Sequence, residues 1–267
     1  MIDLERVKSE FRNFVNGYDN QTDPGFELKV VHTMHVVENA KLIATKLNLP
    51  EEDIELAQVI AYLHDIGRFE ELKDLKGFDS VNNDHALYGS KMLFENNLIR
   101  KFLEDDSYDS IIKNAVENHS KYAIRDGLTP RELLHARIIR DADKLDNFRV
   151  KKDEPIEALF PGKFSRMEEF SNSPISDKVY NNILNHECVD IHDREQPLDY
   201  WLCILAFAFD MNFKETMQIV KENDYINVLL DKFEYTNNET AERIESIRKI
   251  MNDFIEKRIE EQEKSER

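Results

Sequence analysis

The stretch Ala61-Tyr62-Leu63-His64-Asp65-Ile66-Gly67-Arg68 sets an imidazole beside a carboxylate at the end of an apolar run. Such a pair is a donor set of intermediate hardness, suited to Zn, Mn or Fe rather than to a soft-metal thiolate site. Alone, a His-Asp dipeptide is equally a satisfied core histidine and its neighbour. Further histidines and acids recur along the chain. His32, His85 and His119 fall in three other helical segments, and Asp141, Asp143 and Asp146 crowd the stretch Arg140-Asp141-Ala142-Asp143-Lys144-Leu145-Asp146. Unpaired buried carboxylates are expensive, so a metal or another cation should compensate these acids.

These residues need helices to position them. Ile54, Ala57, Ile60 and Ala61 carry the three-and-four spacing of a buried face, with Pro50-Glu51-Glu52-Asp53 opening that helix and Gly67 at a left-handed stop. Residues 28–48 align His32, Val36, Ala40, Ile43 and Leu47 on one face, with His35 about 60° away as the rival to His32. Before them, residues 2–16 form a packing helix ended by an Asp23-Pro24-Gly25 turn, and a polar connection runs through Lys76-Gly77-Phe78. Asn83 or Asp84 caps the helix of His85, Gly89, Met92 and Leu93, where His85 is either a ligand or a surface histidine of the first turn. His119 continues the apolar face of Ile111, Ile112, Ala115 and Val116, and the helix from Arg131 leads into Asp143. Asp141 and Asp146 read as acids supporting the ligands rather than as ligands.

Beyond residue 150 the histidines lack this context. Residues 152–175 read as an irregular crossing and a lid over the site, Tyr200–Phe207 as a buried core helix, and residues 239–260 as a charged helix with an apolar stripe of Ile244, Ile247, Met251, Phe254 and Ile259. That stripe docks on its own domain or makes a homodimer contact.

Composition sets the class. Seven glycines and seven prolines among 267 residues, with 34 % charged residues, predict an all-α fold. A formal charge of −18 disfavours nucleic acid as a partner and keeps any phosphorylated substrate small. Two cysteines give no disulfide framework, no apolar run is long enough to span a bilayer, and the N-terminal Met-Ile-Asp-Leu-Glu-Arg carries no signal peptide or lipid anchor. A cytoplasmic protein without membrane contact is expected.

The order of these motifs resembles the HD-domain metal-dependent phosphohydrolase superfamily, whose signature is H…HD…D on a helical bundle. His32-x-x-x-Val36-x-x-x-Ala40 resembles the first histidine helix, Leu63-His64-Asp65-Ile66-Gly67 the namesake motif and Ala142-Asp143-Lys144-Leu145 the closing aspartate. His85-x-x-x-Gly89 and His119 are similar to the two histidines that mark the dinuclear subset. The resemblance covers about residues 28–150; an HD-type helical core over residues 1–150 is expected, with residues 151–267, which the resemblance leaves unassigned, a helical region packed on it. The resemblance implies one ion on His32, His64, Asp65 and Asp143, and a second on His85, His119 and Asp65 as a bridge. One or two divalent ions, Mn, Fe, Co, Ni, Zn or Mg, would serve. Two metals about 3.5–4 Å apart polarise a phosphoryl oxygen and generate a hydroxide at neutral pH. Asp65, Arg68 and Lys144 would then be catalytic, and Arg68, Lys91 and Lys121 would bind substrate.

The implied activity is hydrolysis of a small phosphomonoester, nucleotide or phosphodiester. Specific branches do not fit: Arg68 stands where the five-prime-nucleotidase branch has an acid, the Glu-Asp pair of the alarmone hydrolases is absent, and Asn118-His119-Ser120-Lys121-Tyr122 lacks the Gly-Tyr-Pro motif of cyclic-di-GMP hydrolases. Two other readings share the same ligand set, a di-iron oxygenase of a small polyol or phosphonate and a non-catalytic metal or ligand sensor.

Overall fold

The computed structural model describes residues 2–18, 24–75 and 84–265, and among them every regular element is a helix, with no strand. None of these helices is long and apolar enough to cross a membrane. The chain divides into two compact units, residues 1–146 and 147–267.

In the first unit, α1 (Leu4–Asn16) begins at Asp3, whose carboxylate accepts from the Arg6 N–H at 3.0 Å, and buries Val7, Phe11 and Val15 at four-residue steps. α2 (Pro24–Lys46) lies along α3 (Glu51–Leu63). Three acids in the first turn of α3 complement its dipole, and from Leu56 onward nearly every side chain is buried. A helix apolar all round needs neighbours all round, and α1, α2 and α7 (Asp109–Asn118) supply them. α4 (Ile66–Leu75) starts two residues after α3 ends, leaving His64 and Asp65 at the joint. Phe69 of α4 is fully buried among Phe11, Phe14, Tyr18 and Phe26, which ties α4 to the first two helices. α5 (His85–Phe94) packs on both α4 and α7. The short α6 (Ile99–Phe102) leads to α7, and α8 (Pro130–Asp153) closes the unit. α8 opens on a reciprocal cap: the Glu132 N–H donates to Thr129 Oγ1 at 3.3 Å, and the Thr129 N–H donates to Glu132 Oε2 at 2.8 Å.

Two local expectations fail here. Pro24 and Gly25 belong to the first turn of α2 rather than to a turn, because proline's fixed φ suits a helix start. Asp23, Lys76-Gly77-Phe78 and Asn83 lie outside the described residues. Gly67 does not stop a helix in a left-handed conformation; it sits in the first turn of α4, and among the described glycines positive φ occurs at Gly127 and Gly162. Glycine is needed at 67 for space. A Cβ there would lie 2.3 Å from the His85 carbonyl oxygen and 2.8 Å from the Gly89 nitrogen, both backbone atoms of α5.

The second unit is built around Trp201, which is fully buried and donates Nε1–H to the Leu229 carbonyl at 3.0 Å. Its helices are α9 (Ile156–Leu159), α10 (Met167–Ser171), α11 (Asp177–Leu184), α12 (Pro197–Leu205), α13 (Lys214–Glu222), α14 (Tyr225–Leu230) and α15 (Asn238–Ser265). The stretch read as an irregular crossing thus contains two short helices, and its Phe170 is a core residue stacked on Phe233 at 4.8 Å. The apolar stripe of α15 is buried at Ile244, Ile247, Met251 and Ile255. Ile255, not Phe254 or Ile259, completes it; both of those are half-buried.

Candidate metal centre

Six side chains from α2, the α3–α4 joint, α5, the end of α7 and α8 converge in the first unit. Ligand atoms of His32, His64 and Asp143 lie within 4.8 Å of one another, and so do those of Asp65, His85 and His119. Asp65 faces both groups, one oxygen to each. Its Oδ2 stands 3.8 Å from His32 Nε2 and 3.6 Å from His64 Nε2, while Oδ1 stands 3.3 Å from His85 Nε2 and 3.4 Å from His119 Nε2. Asp143 Oδ1 is 3.1 Å from His32 Nε2 and 4.0 Å from His64 Nε2.

The tautomers follow from what each Nδ1 touches. His64 Nδ1 lies 2.7 Å from the Ala61 carbonyl and His119 Nδ1 2.7 Å from the Val116 carbonyl. A carbonyl only accepts, so both Nδ1 atoms carry a proton, and Nε2 is the ring nitrogen that each turns toward the site. His32 Nδ1 donates in the same way to Asp146 at 2.6 Å. Buried inside the site, neither His64 Nε2 nor His32 Nε2 has a hydrogen-bond partner among the described residues. His85 and His119 bring their Nε2 atoms to 3.1 Å of each other beside Asp65 Oδ1. Inward ring nitrogens converging on ionised oxygens make a set that one cation per group would satisfy. Three nitrogens or oxygens per group, with a shared carboxylate, fit a divalent transition ion.

Electrostatics prepare the same state. Burial pushes His64 down to about 4 and His85 down to about 3, so both are neutral at pH 7. Burial alone would raise Asp65, but the Lys29 ammonium against its Oδ2 is the largest of the opposing influences, and together they hold it well below the usual carboxylate range. Asp143 is likewise lowered, burial being outweighed by His32 and His64. For His32, burial and Lys29 push downward, yet the close carboxylates of Asp143 and Asp146 outweigh them and leave its pKa raised.

Of the expected residues, His32, His64, Asp65, His85, His119 and Asp143 are thus brought together. His35, the rival of His32, points outward beside Glu38 with a side chain 41 % exposed. Arg68 lies in the first turn of α4, with Nε 3.9 Å from Asp65 Oδ1 and Nη1 paired to Glu71, an acid that is itself buried rather than at the surface. Lys144 is buried next to Asp143 on α8. Lys121 is half-exposed and paired to Asp84, the cap of α5, so it joins the segments carrying His119 and His85. Lys91 is not brought to the group: it is exposed near the far end of α5, six residues and about 120° around from His85.

Two participants escape sequence reading. Lys29 donates to Asp65 Oδ2 at 2.5 Å; its place three residues before His32 on one helix is the signal that could have found it. Arg140, from the acid-rich stretch of α8, donates through Nη1 to the carbonyls of Asn118 at 2.8 Å, His119 at 3.3 Å and Lys121, and through Nη2 to that of Tyr122 at 3.3 Å. Asp146, read as a supporting acid, orients His32.

Compared with known proteins, residues 30–147 match the model of the HD domain family. No curated protein and no solved structure matches the chain.

Proposed function

From the membership of residues 30–147 in the HD-domain superfamily, whose domains are typically metal-dependent phosphohydrolases, we propose that this chain hydrolyses a small phosphomonoester, nucleotide or phosphodiester with two divalent ions. The observation that carries the reading is Asp65, which turns one oxygen to each histidine pair. His32, His64 and Asp143 would hold one ion, His85 and His119 the other, and Asp65 would bridge them. When bound, such ions supply Lewis-acid polarisation of a phosphoryl oxygen and a nucleophile available at neutral pH.

The chain's own residues supply the rest. His64, His119 and His32 are held through Nδ1 by two backbone carbonyls and Asp146, which turns each Nε2 toward the site. Arg68, held by Glu71 beside Asp65 Oδ1, would bind non-reacting phosphate oxygens in two-pronged fashion. Lys144 and Lys121 are the further cations on the helix of Asp143 and after His119, and Lys29 adds charge on the Oδ2 side.

The test is metal analysis of freshly purified protein, followed by a phosphatase and phosphodiesterase panel with Mn, Mg, Fe, Co or Ni. Two ions per chain and phosphate release from at least one substrate class are expected. Substrate-dependent oxygen uptake without phosphate release would move the same ligand set to di-iron oxygenase chemistry, and two bound ions with no turnover of any kind would favour a sensor.

A further inference from the structure

Asp143 of one ligand group lies on α8 and His119 of the other ends α7, and the Arg140 side chain reaches from the first of these helices to the second. Arg140 lies on α8 three residues before Asp143, on the same side of the helix, and is 3 % exposed. Its guanidinium reaches across to the end of α7, where the carbonyls of Asn118, His119, Lys121 and Tyr122 receive its protons. The last carbonyls of a helix have no partner within the helix, and chains usually meet that need with a glycine in left-handed conformation just beyond. α7 has no such glycine: His119 is its C-cap, in right-handed helical conformation at φ −61°. Arg140 takes over that task and adds a positive charge at the negative end of the helix dipole.

The location gives this cap a second consequence. The His119 ring is fixed to the same last turn, through Nδ1–H and the Val116 carbonyl. Asn118 ties the following loop to that turn, donating to the Asn114 carbonyl at 2.8 Å and accepting from the Arg125 N–H at 2.9 Å. Where Arg140 holds the turn, it therefore sets where His119 Nε2 stands relative to His85 and Asp65 Oδ1. His32 and His64 depend on other contacts, with Asp146 and the Ala61 carbonyl.

We infer that Arg140 is a positioning residue for the second ion, fixing His119 from the helix that carries Asp143, while the ion held by His32, His64 and Asp143 does not depend on it. The inference rests on the two-ion reading. It is tested by calorimetric titration of chelator-stripped full-length protein with Mn2+ alone, the binding step lost in His119→Ala identifying the second ion. Arg140→Gln should weaken that step by at least roughly tenfold, the range typical of residues that orient a ligand, and leave the other step within about twofold. Arg140→Lys keeps a charge but not the fork, so it should fall between, and it serves if the glutamine variant does not fold. Glu132→Gln supplies the structural comparison: Glu132 accepts from Asn114 at 2.7 Å and from the Thr129 N–H at 2.8 Å, tying the same two helices at their other end. It should lower the melting temperature without changing the ratio of the two steps. Arg140 variants that move both steps alike, or neither, would overturn the inference while leaving two ions in place. A wild type with a single step would remove the two-ion reading and the inference with it.

Discussion

A carboxylate shared between two groups of histidines is the most informative residue in the chain. Asp65→Ala takes an oxygen from both groups at once, so it should leave well under one ion per chain and no hydrolytic activity. Retention of two ions by metal analysis would exclude the bridge. The histidines make a separate prediction for the stripped protein. His64 and His85 keep pKa values near 4 and 3 when folded, against about 6.5 when unfolded. The unfolded chain therefore binds more protons below pH ~6.5, and stability falls as pH drops from there toward 4. His32, with its pKa raised, works the other way and offsets part of the fall. His85→Asn removes one depressed group and should flatten the decline of melting temperature between about pH 6.5 and 4; an unchanged slope would show that burial of His85 is not its source. The six converging side chains were legible because each type recurs on an apolar face or a helix end. Lys29 and Arg140 were not, since a cation on a helix looks the same whether it meets water, a carboxylate from position 65 or four carbonyls from position 118 onward.

Helices were legible from their periodicity, and their crossings were not. Residues 2–16 and 28–48 read as helices and contain α1 and most of α2, and the apolar face from Ile111 to His119 falls on α7 and its cap. Gly67 shows what periodicity leaves out. Glycine after an apolar run reads as a helix stop, and the constraint that keeps it is a contact with α5, whose distance in space the sequence does not encode locally. Gly67→Ala should cost on the order of 1–3 kcal/mol or more, because the new methyl meets backbone that cannot rotate away. Gly89→Ala should cost less: its Cβ would sit 3.1 Å from the Gly67 nitrogen and 3.2 Å from Ile66 Cγ2, and alanine regains helix propensity. Urea unfolding of both variants checks the order, and equal losses would mean the α4–α5 crossing gives way more easily than its spacing implies. Since His85 opens α5, the larger displacement should also weaken the second ion.

At the scale of the molecule, composition decided the all-α class, and a net charge of −18 sets how cations and anions in general approach it. An acidic surface concentrates divalent cations and repels polyanions. Ions that bind only the folded chain add stability as RT ln(1 + [L]/Kd), about 2.7 kcal/mol at a hundredfold excess over Kd. Saturating Mn2+ should thus raise the melting temperature of stripped protein by several degrees, and the rise should vanish in Asp65→Ala; a wild-type melting curve indifferent to Mn2+ would place the ions, if bound, outside the folded core. The layout of residues 147–267 was less legible, because short helices such as α9 and α10 bury one side chain each, Ile156 and Phe170, and leave no period to read.

The division of labour between the two oxygens of Asp65 has a thermodynamic corollary. An ion on the His32 side and an ion on the His85 side, as proposed, would share one carboxylate, so whatever factor the first applied to the affinity of the second, the second would apply to the first. Repulsion between like charges pushes that factor down, and a carboxylate already ordered by its first ligand pushes it up. A loading curve is then a property of the pair, and the free-ion concentration that fills one half also sets how readily the other fills.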